Sequence, residues 1–205
     1  MLSYLACPAI DTNTPYRETE YLAVDLEMSG LDARSDQILS IGFVAVKQQQ
    51  ILLETAQHLL VQHDNINLEA TAPIHNIRNV DLLTGAPLQE CLVRLLKNMH
   101  NRVMVVHHAP LDIAFLNQAS EQSFGVPFYC QVLDTLRLEQ KRRSLTSDAA
   151  TSGHYRLHAC RERYNLPPAQ AHNALTDAIA TAELWLAQSS HIARGTDLPL
   201  SYFLR

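Results

Sequence analysis

At 205 residues, 47% hydrophobic and 18% charged, the chain is neither disordered nor fibrous, and it has the length of one domain with a sizeable core. A formal net charge of -5 excludes the basic footprint of many nucleic-acid-binding domains, unless bound cations change the local sign. Cys7, Cys91, Cys130 and Cys160 form no C-x-x-C pair, and no apolar run approaches the ~18 residues of a membrane span, so reduced thiols, a cytoplasmic location and no membrane partner are expected.

Residues 1–19 contain Pro8, Pro15 and a polar "DTNT", and read as an arm ahead of the first strand. "YLAVDLE" from Tyr21 is a short strand around the β-branched Val24. Segments 37–47 and 50–62 are longer strands, antiparallel because the connection between them is too short for a crossover. Residues 87–100 place Leu88, Leu92, Leu95, Leu96 and Met99 on one helical stripe. Strands at 102–108 and 130–135 are each preceded by a helical segment, the second of these being 111–120. "KRRSLTSDAATSG" (141–153) is polar and aperiodic and reads as a loop, followed by helices at 154–165 and 174–188 and a tail from 191. Antiparallel strands first and strand-helix alternation afterwards predict an α/β sandwich on a mixed sheet.

Two carboxylates close the first strand, Asp25 and Glu27. At i and i+2 they share one face, and like charges so close call for a compensating cation; hard oxygen donors suit Mg²⁺ or Mn²⁺. Taken alone, a D-x-E pair is more often a solvated strand end. Asp112 opens a helix after the strand "RVMVVHH", a position that ordinary charge-dipole stabilisation also explains. Asp177 opens the alanine-rich helix, five residues after His172. On a continuous helix that spacing would set the two about 140° apart, so His172 is expected in the approach loop, turned over the same spot. Arg137, Lys141, Arg142, Arg143, Arg156, Arg161 and Arg163 form either a backbone-binding rim or a solvated face.

In chain order the set is D-x-E on the first strand, H-x-A-x-x-D after a central strand, and H-x-A-x-x-D entering the last long helix. This constellation resembles the DEDDh (DnaQ-like) exonuclease family, whose members include the proofreading epsilon subunit of bacterial DNA polymerase III. The resemblance extends over residues 20–190 and divides the chain into an arm (1–19), an exonuclease domain (20–190) and a tail (191–205). "PIHNIRNVDLLTGAPL" is similar to the family's I-H-x-I segment and "VLDTLRLEQ" to its strand with a D-T-L ending.

The resemblance implies an RNase H-like three-layer α/β/α fold with a five-stranded mixed sheet. It also implies a 3′-5′ exonuclease with two Mg²⁺ or Mn²⁺ ions per active site, releasing nucleoside 5′-monophosphates from single-stranded nucleic acid. Asp25, Glu27, Asp112 and Asp177 match the family's four acidic positions and His172 its catalytic histidine. Met28, Ser29, Gly30 and Leu31 fall where the family contacts the terminal nucleotide. His108 stands where the proofreading branch usually carries Asn, so substrate contact and space filling are both open for it. The second and third motifs point to DNA and to a polymerase or other replication partner. "VDLEMSGLD" instead resembles oligoribonucleases, which keeps RNA 3′-end trimming as the alternative.

Overall fold

A computed structural model describes residues 9–64, 66, 77–144, 152–170 and 172–204. Its strands are β1 (Tyr21–Met28), β2 (Ile38–Lys47), β3 (Gln50–Leu60), β4 (Val103–Val106) and β5 (Val132–Asp134). The helices are α1 (Asn79–Leu82), α2 (Leu88–Met99), α3 (Ala109–Phe124), α4 (Thr135–Ser144), α5 (Leu157–Arg163) and α6 (Ala174–Ala193), with 3-10 turns at Ser152–Tyr155 and Leu200–Tyr202. The strands form one sheet in the order β3-β2-β1-β4-β5. β1, β2 and β3 pair antiparallel in sequence, and β4 and β5 add parallel on the other side of β1. The expected five-stranded mixed sheet and its three layers are therefore present.

Side-chain alternation sorts the core into two halves. Leu22, Val24 and Leu26 of β1 face α2 and α3, where Leu92, Leu95, Leu96, Met99, Phe115 and Leu116 bury with them. Tyr21 and Ala23 face the other way, toward Trp185 and Ala182 of α6. Asp25 and Glu27 continue that second row, so the strand period that buries Tyr21 and Ala23 delivers both carboxylates to the α6 side of the sheet.

β2 and β3 join through Gln48 and Gln49, whose φ values of 50° and 60° are those of a two-residue hairpin turn. The predicted helices at 87–100, 111–120 and 174–188 are observed, the last two with longer spans (109–124 and 174–193), whereas 154–165 divides at the extended Arg156 into the end of a 3-10 turn and the shorter α5. Residues 141–144, read as loop, are instead the last turn of α4; residues 145–151 lie outside those described. Local periodicity missed α4 because its buried positions are Thr135, Leu138 and Glu139, only one of them apolar.

The ends of the chain also pack more deeply than their polarity suggests. Tyr16, Leu200 and Phe203 are buried around Trp185, with ring centroids 5.1 Å apart for Trp185–Phe203 and for Tyr16–Phe203. Backbone bonds from Tyr16 N–H to the Leu198 carbonyl and from Leu200 N–H to the Thr14 carbonyl zip the two segments together. No helix among the described residues is long and apolar enough to cross a membrane.

Candidate active site

Both H-x-A-x-x-D segments fold alike at the entrance to a helix, with the alanine (Ala109, Ala174) in the first helical position and the aspartate (Asp112, Asp177) in the fourth. Asn173 caps α6, its side chain accepting from the Leu175 and Thr176 N–H groups. His172 precedes it with φ 69°, a left-handed backbone, and its N–H donates to Asp177 Oδ2 at 2.8 Å. That bond reverses the chain tightly, and the predicted approach-loop placement of His172 is what the structure shows.

Asp177 reaches the sheet because Gly42 lets it. Gly42 pairs with Asp25 across β1 and β2. A Cβ on Gly42 would lie 2.1–2.2 Å from backbone atoms of Ala174 and Leu175, so the first turn of α6 rests directly on β2. Carboxylate oxygens of Asp25, Glu27 and Asp177 consequently fall within 4.8 Å of one another. Asp112 lies outside that group of three, yet among neighbouring charges it acts most strongly on Asp25.

Burial and mutual repulsion raise the carboxyl pKa values. Asp25 is pushed well above the carboxylate range, first by burial and then by Asp112, Asp177 and Glu27. Burial, then Asp177, raises Glu27 to about 7; burial, then the charge of Asp134, raises Asp112 to about 8. Burial also raises Asp177, opposed by the His172 N–H bond. The hard, converging oxygens of this set fit a divalent ion of the Mg²⁺ or Mn²⁺ type, whose charge would offset their repulsion.

Asp25 and Asp177 floor a cleft of about 870 Å³, walled by His107, His108, Tyr155, Arg156, His158, Leu166, Pro167 and His172. Of the residues matched to nucleotide contacts, His108 lines this cleft, whereas Met28, Ser29, Gly30 and Leu31 continue the chain beyond Glu27. Leu31 is 78% exposed. The Ser29 hydroxyl accepts from Gln37 N–H, and a Cβ on Gly30 would collide with the Asp36 carboxylate at 2.3 Å, so packing within this turn already accounts for glycine there. The start of the I-H-x-I-like segment, residues 73–76, lies outside the described residues.

The basic cluster divides into locked and free members. The buried Arg161 donates to the Ala180 and Pro167 carbonyls at 2.7 and 2.9 Å and pairs with Glu183, fastening the chain ahead of His172 to α6. Arg142 and Arg163 are spent on the buried Glu139 carboxylate, which also accepts from Tyr164 and Gln188. Arg156 is exposed at the cleft rim, and its guanidinium makes no hydrogen bond or ion pair with another described residue. Three members of the cluster are thus held by Glu139 and Glu183, contacts that residue spacing does not show.

Local sequence reading did not pick out Gly42, His107 or Asp134 as shaping the site, and it placed Arg161 with the basic cluster rather than against α6. His107 bridges Thr135 Oγ1 at 2.9 Å and the Tyr155 carbonyl at 2.8 Å, joining β4 to the far wall of the cleft. The adjacent histidines were a visible signal for it, whereas Gly42 lies in an unbroken apolar strand and gives none.

Comparisons with known proteins agree with this geometry. The chain is 27% identical over 174 residues to the DNA polymerase III PolC-type of Thermotoga petrophila, a match covering 85% of this chain and 12% of that protein. It is 30% identical over 176 residues to a DNA polymerase III subunit epsilon-like protein of Rhodobacter capsulatus, covering 84% of this chain and 24% of that one. The chain thus spans about an eighth to a quarter of the length of these curated relatives. Among solved structures, E. coli Exonuclease I in complex with a dA16 oligonucleotide superposes with a TM-score of 0.71 at 12% identity, over 84% of this chain and 41% of that one, a likeness of fold. The exonuclease family model, of the RNase T type, matches residues 22–185, a span that holds every carboxylate of the cleft together with His172, and the chain therefore belongs to the RNase T/DnaQ-like 3′-5′ exonuclease family.

Proposed function

We propose that the chain removes nucleotides one at a time from the 3′ end of single-stranded DNA, releasing nucleoside 5′-monophosphates. The observation that carries this is the convergence of Asp25, Glu27 and Asp177 within 4.8 Å, with Asp25, Asp177 and His172 lining an open cleft. Asp25, Glu27, Asp112 and Asp177 would hold two Mg²⁺ or Mn²⁺ ions, which when bound supply a nucleophilic water and neutralise phosphate charge.

The chain's own residues do the rest. An imidazole nitrogen of His172 takes the proton of the attacking water, the task to which a histidine is suited near neutral pH. Its left-handed backbone, tied to Asp177, keeps the ring beside the carboxylates without burying it. His108 and the exposed Leu31 flank the terminal nucleotide, Leu31 offering apolar surface to the last base, with Met28, Ser29 and Gly30 shaping the turn that presents it. Arg156 meets the phosphate backbone further along the cleft.

The DNA assignment follows the second and third motifs and the polymerase names of the relatives, which also make a DNA polymerase or other replication protein the favoured partner. "VDLEMSGLD" supports the alternative, trimming of short RNA. End-labelled single-stranded DNA and RNA of several lengths, incubated with Mg²⁺ or Mn²⁺, separate the two: DNA should be shortened stepwise from the 3′ end with mononucleotides as product. Preferential decay of RNA would transfer the assignment to the alternative, and cutting of circular single strands would overturn the exonuclease reading itself.

A further inference from the structure

The two H-x-A-x-x-D helices differ in what holds their first turn. α6 is capped by its own Asn173, whereas the residue before α3, His108, makes no side-chain cap bond and sits at φ 90°, ψ 60°, a left-handed conformation costly for a non-glycine residue. What holds it is Asp134, the last residue of β5. Asp134 Oδ1 accepts the N–H of His108 at 3.1 Å and Oδ2 that of Ala109 at 3.0 Å. The same carboxylate caps α4, with Oδ1 accepting from Leu136 at 2.9 Å and Arg137 at 3.4 Å. One side chain therefore gathers four backbone donors from two helices, at a point where β4 and β5 run side by side, Val106 pairing with Asp134.

We propose that Asp134 is a positioning residue for the metal site: by clamping the left-handed His108 turn it fixes the angle at which α3 leaves the sheet, and with it the place of Asp112 beside Asp25. It touches neither substrate nor ion. Charge-assisted bonds to backbone N–H groups are the stronger kind, and an outer partner of this sort tunes metal affinity by about 10–100-fold.

This inference rests on the exonuclease reading, and its test separates the two. Asp134→Ser keeps a good cap for α4 but has no second oxygen to reach α3; Asp134→Asn keeps one acceptor and turns an amide toward the Ala109 N–H. Mn²⁺ binding is measured by calorimetry without substrate, alongside kcat and KM on a 3′-labelled oligonucleotide and thermal midpoints of the metal-free proteins. Folded variants should bind Mn²⁺ about 10-fold more weakly, lose kcat at limiting Mn²⁺ and recover it at high Mn²⁺, with KM for the oligonucleotide unchanged. Wild-type Mn²⁺ affinity and kcat in a folded variant overturn the positioning role, as does a change confined to KM. If both variants fail to fold, Asp134 is a structural cap and the proposal falls. Mn²⁺ binding by the parent chain without release of mononucleotides would instead overturn the exonuclease reading.

Discussion

His172 and the carboxylates around it are expected to respond differently to substitution and to pH. Asp25→Ala should abolish turnover, because Asp25 is the carboxylate that feels the charges of Asp112, Asp177 and Glu27 together, while His172→Ala should lower kcat by about 10²–10⁴-fold, the usual worth of a positioned general base. Both are read by mononucleotide release at saturating Mn²⁺, and an active Asp25→Ala would sink the metal-site assignment. Protonation supplies a second prediction. In the metal-free protein Glu27 and Asp112 have folded-state pKa values of about 7 and about 8, above the ordinary carboxylate range they regain on unfolding. The folded state then binds more protons than the unfolded one, so stability is full at pH 4 and falls as pH rises through 7 and 8. In EDTA the thermal midpoint should therefore be higher at pH 6 than at pH 8, and added Mg²⁺ or Mn²⁺ should raise it more at pH 8. A midpoint that climbs with pH in EDTA would contradict the repulsion described above.

Helix α6 is brought to the sheet by an absent side chain. Gly42 has no turn to make; it is needed because backbone atoms of Ala174 and Leu175 occupy the space of a Cβ. Gly42→Ala must push the first turn of α6 outward, carrying Asp177 and His172 from Asp25. Overpacking of this kind costs about 1–3 kcal/mol, but activity should suffer far more than stability, since displacements near 1 Å cost about 10²-fold in a pre-organised site. Chemical denaturation and kcat measured on the same variant check this; unchanged kcat would show that α6 does not set the geometry. Arg161 serves the other flank, holding the chain ahead of His172 against the same helix.

For the molecule as a whole, the N- and C-terminal segments close the α6 side of the core. Tyr16 of the first and Leu200 and Phe203 of the second wrap Trp185 on the side that Tyr21 of β1 leaves uncovered. Burying a large apolar side chain is worth about 1.5–3 kcal/mol, so deleting residues 196–205 should destabilise the fold by about 3–6 kcal/mol. A truncated chain with the parent's denaturation midpoint would mean that the tail only rests on the surface. At this scale too the charge acquires meaning: with Arg161 held by Glu183, Arg156 is, among the described arginines and lysines that line the cleft, the one left to meet a strand. Arg156→Ala should raise KM for long oligonucleotides and reduce its salt dependence, with kcat retained.

The amino-acid sequence by itself determined the order of the five strands and of the helices with an apolar stripe, though not α1 or α4, because apolar periods of two and of 3.6 residues are local properties, and it singled out the carboxylates and the histidine as candidates, because their spacing in three separate motifs is written in the chain. Asp25 and Glu27 sharing a face needs nothing beyond the pleat of a strand. Only the tertiary structure decided which neighbours make those residues a site. Gly42 matters through a helix more than 130 residues downstream, Asp134 through the backbone of a helix that precedes it, and Arg161 through Ala180 and Glu183. Spacing carries no record of such contacts, since each is set by how sheet and helices pack, and the same packing drew the polar chain ends into the core.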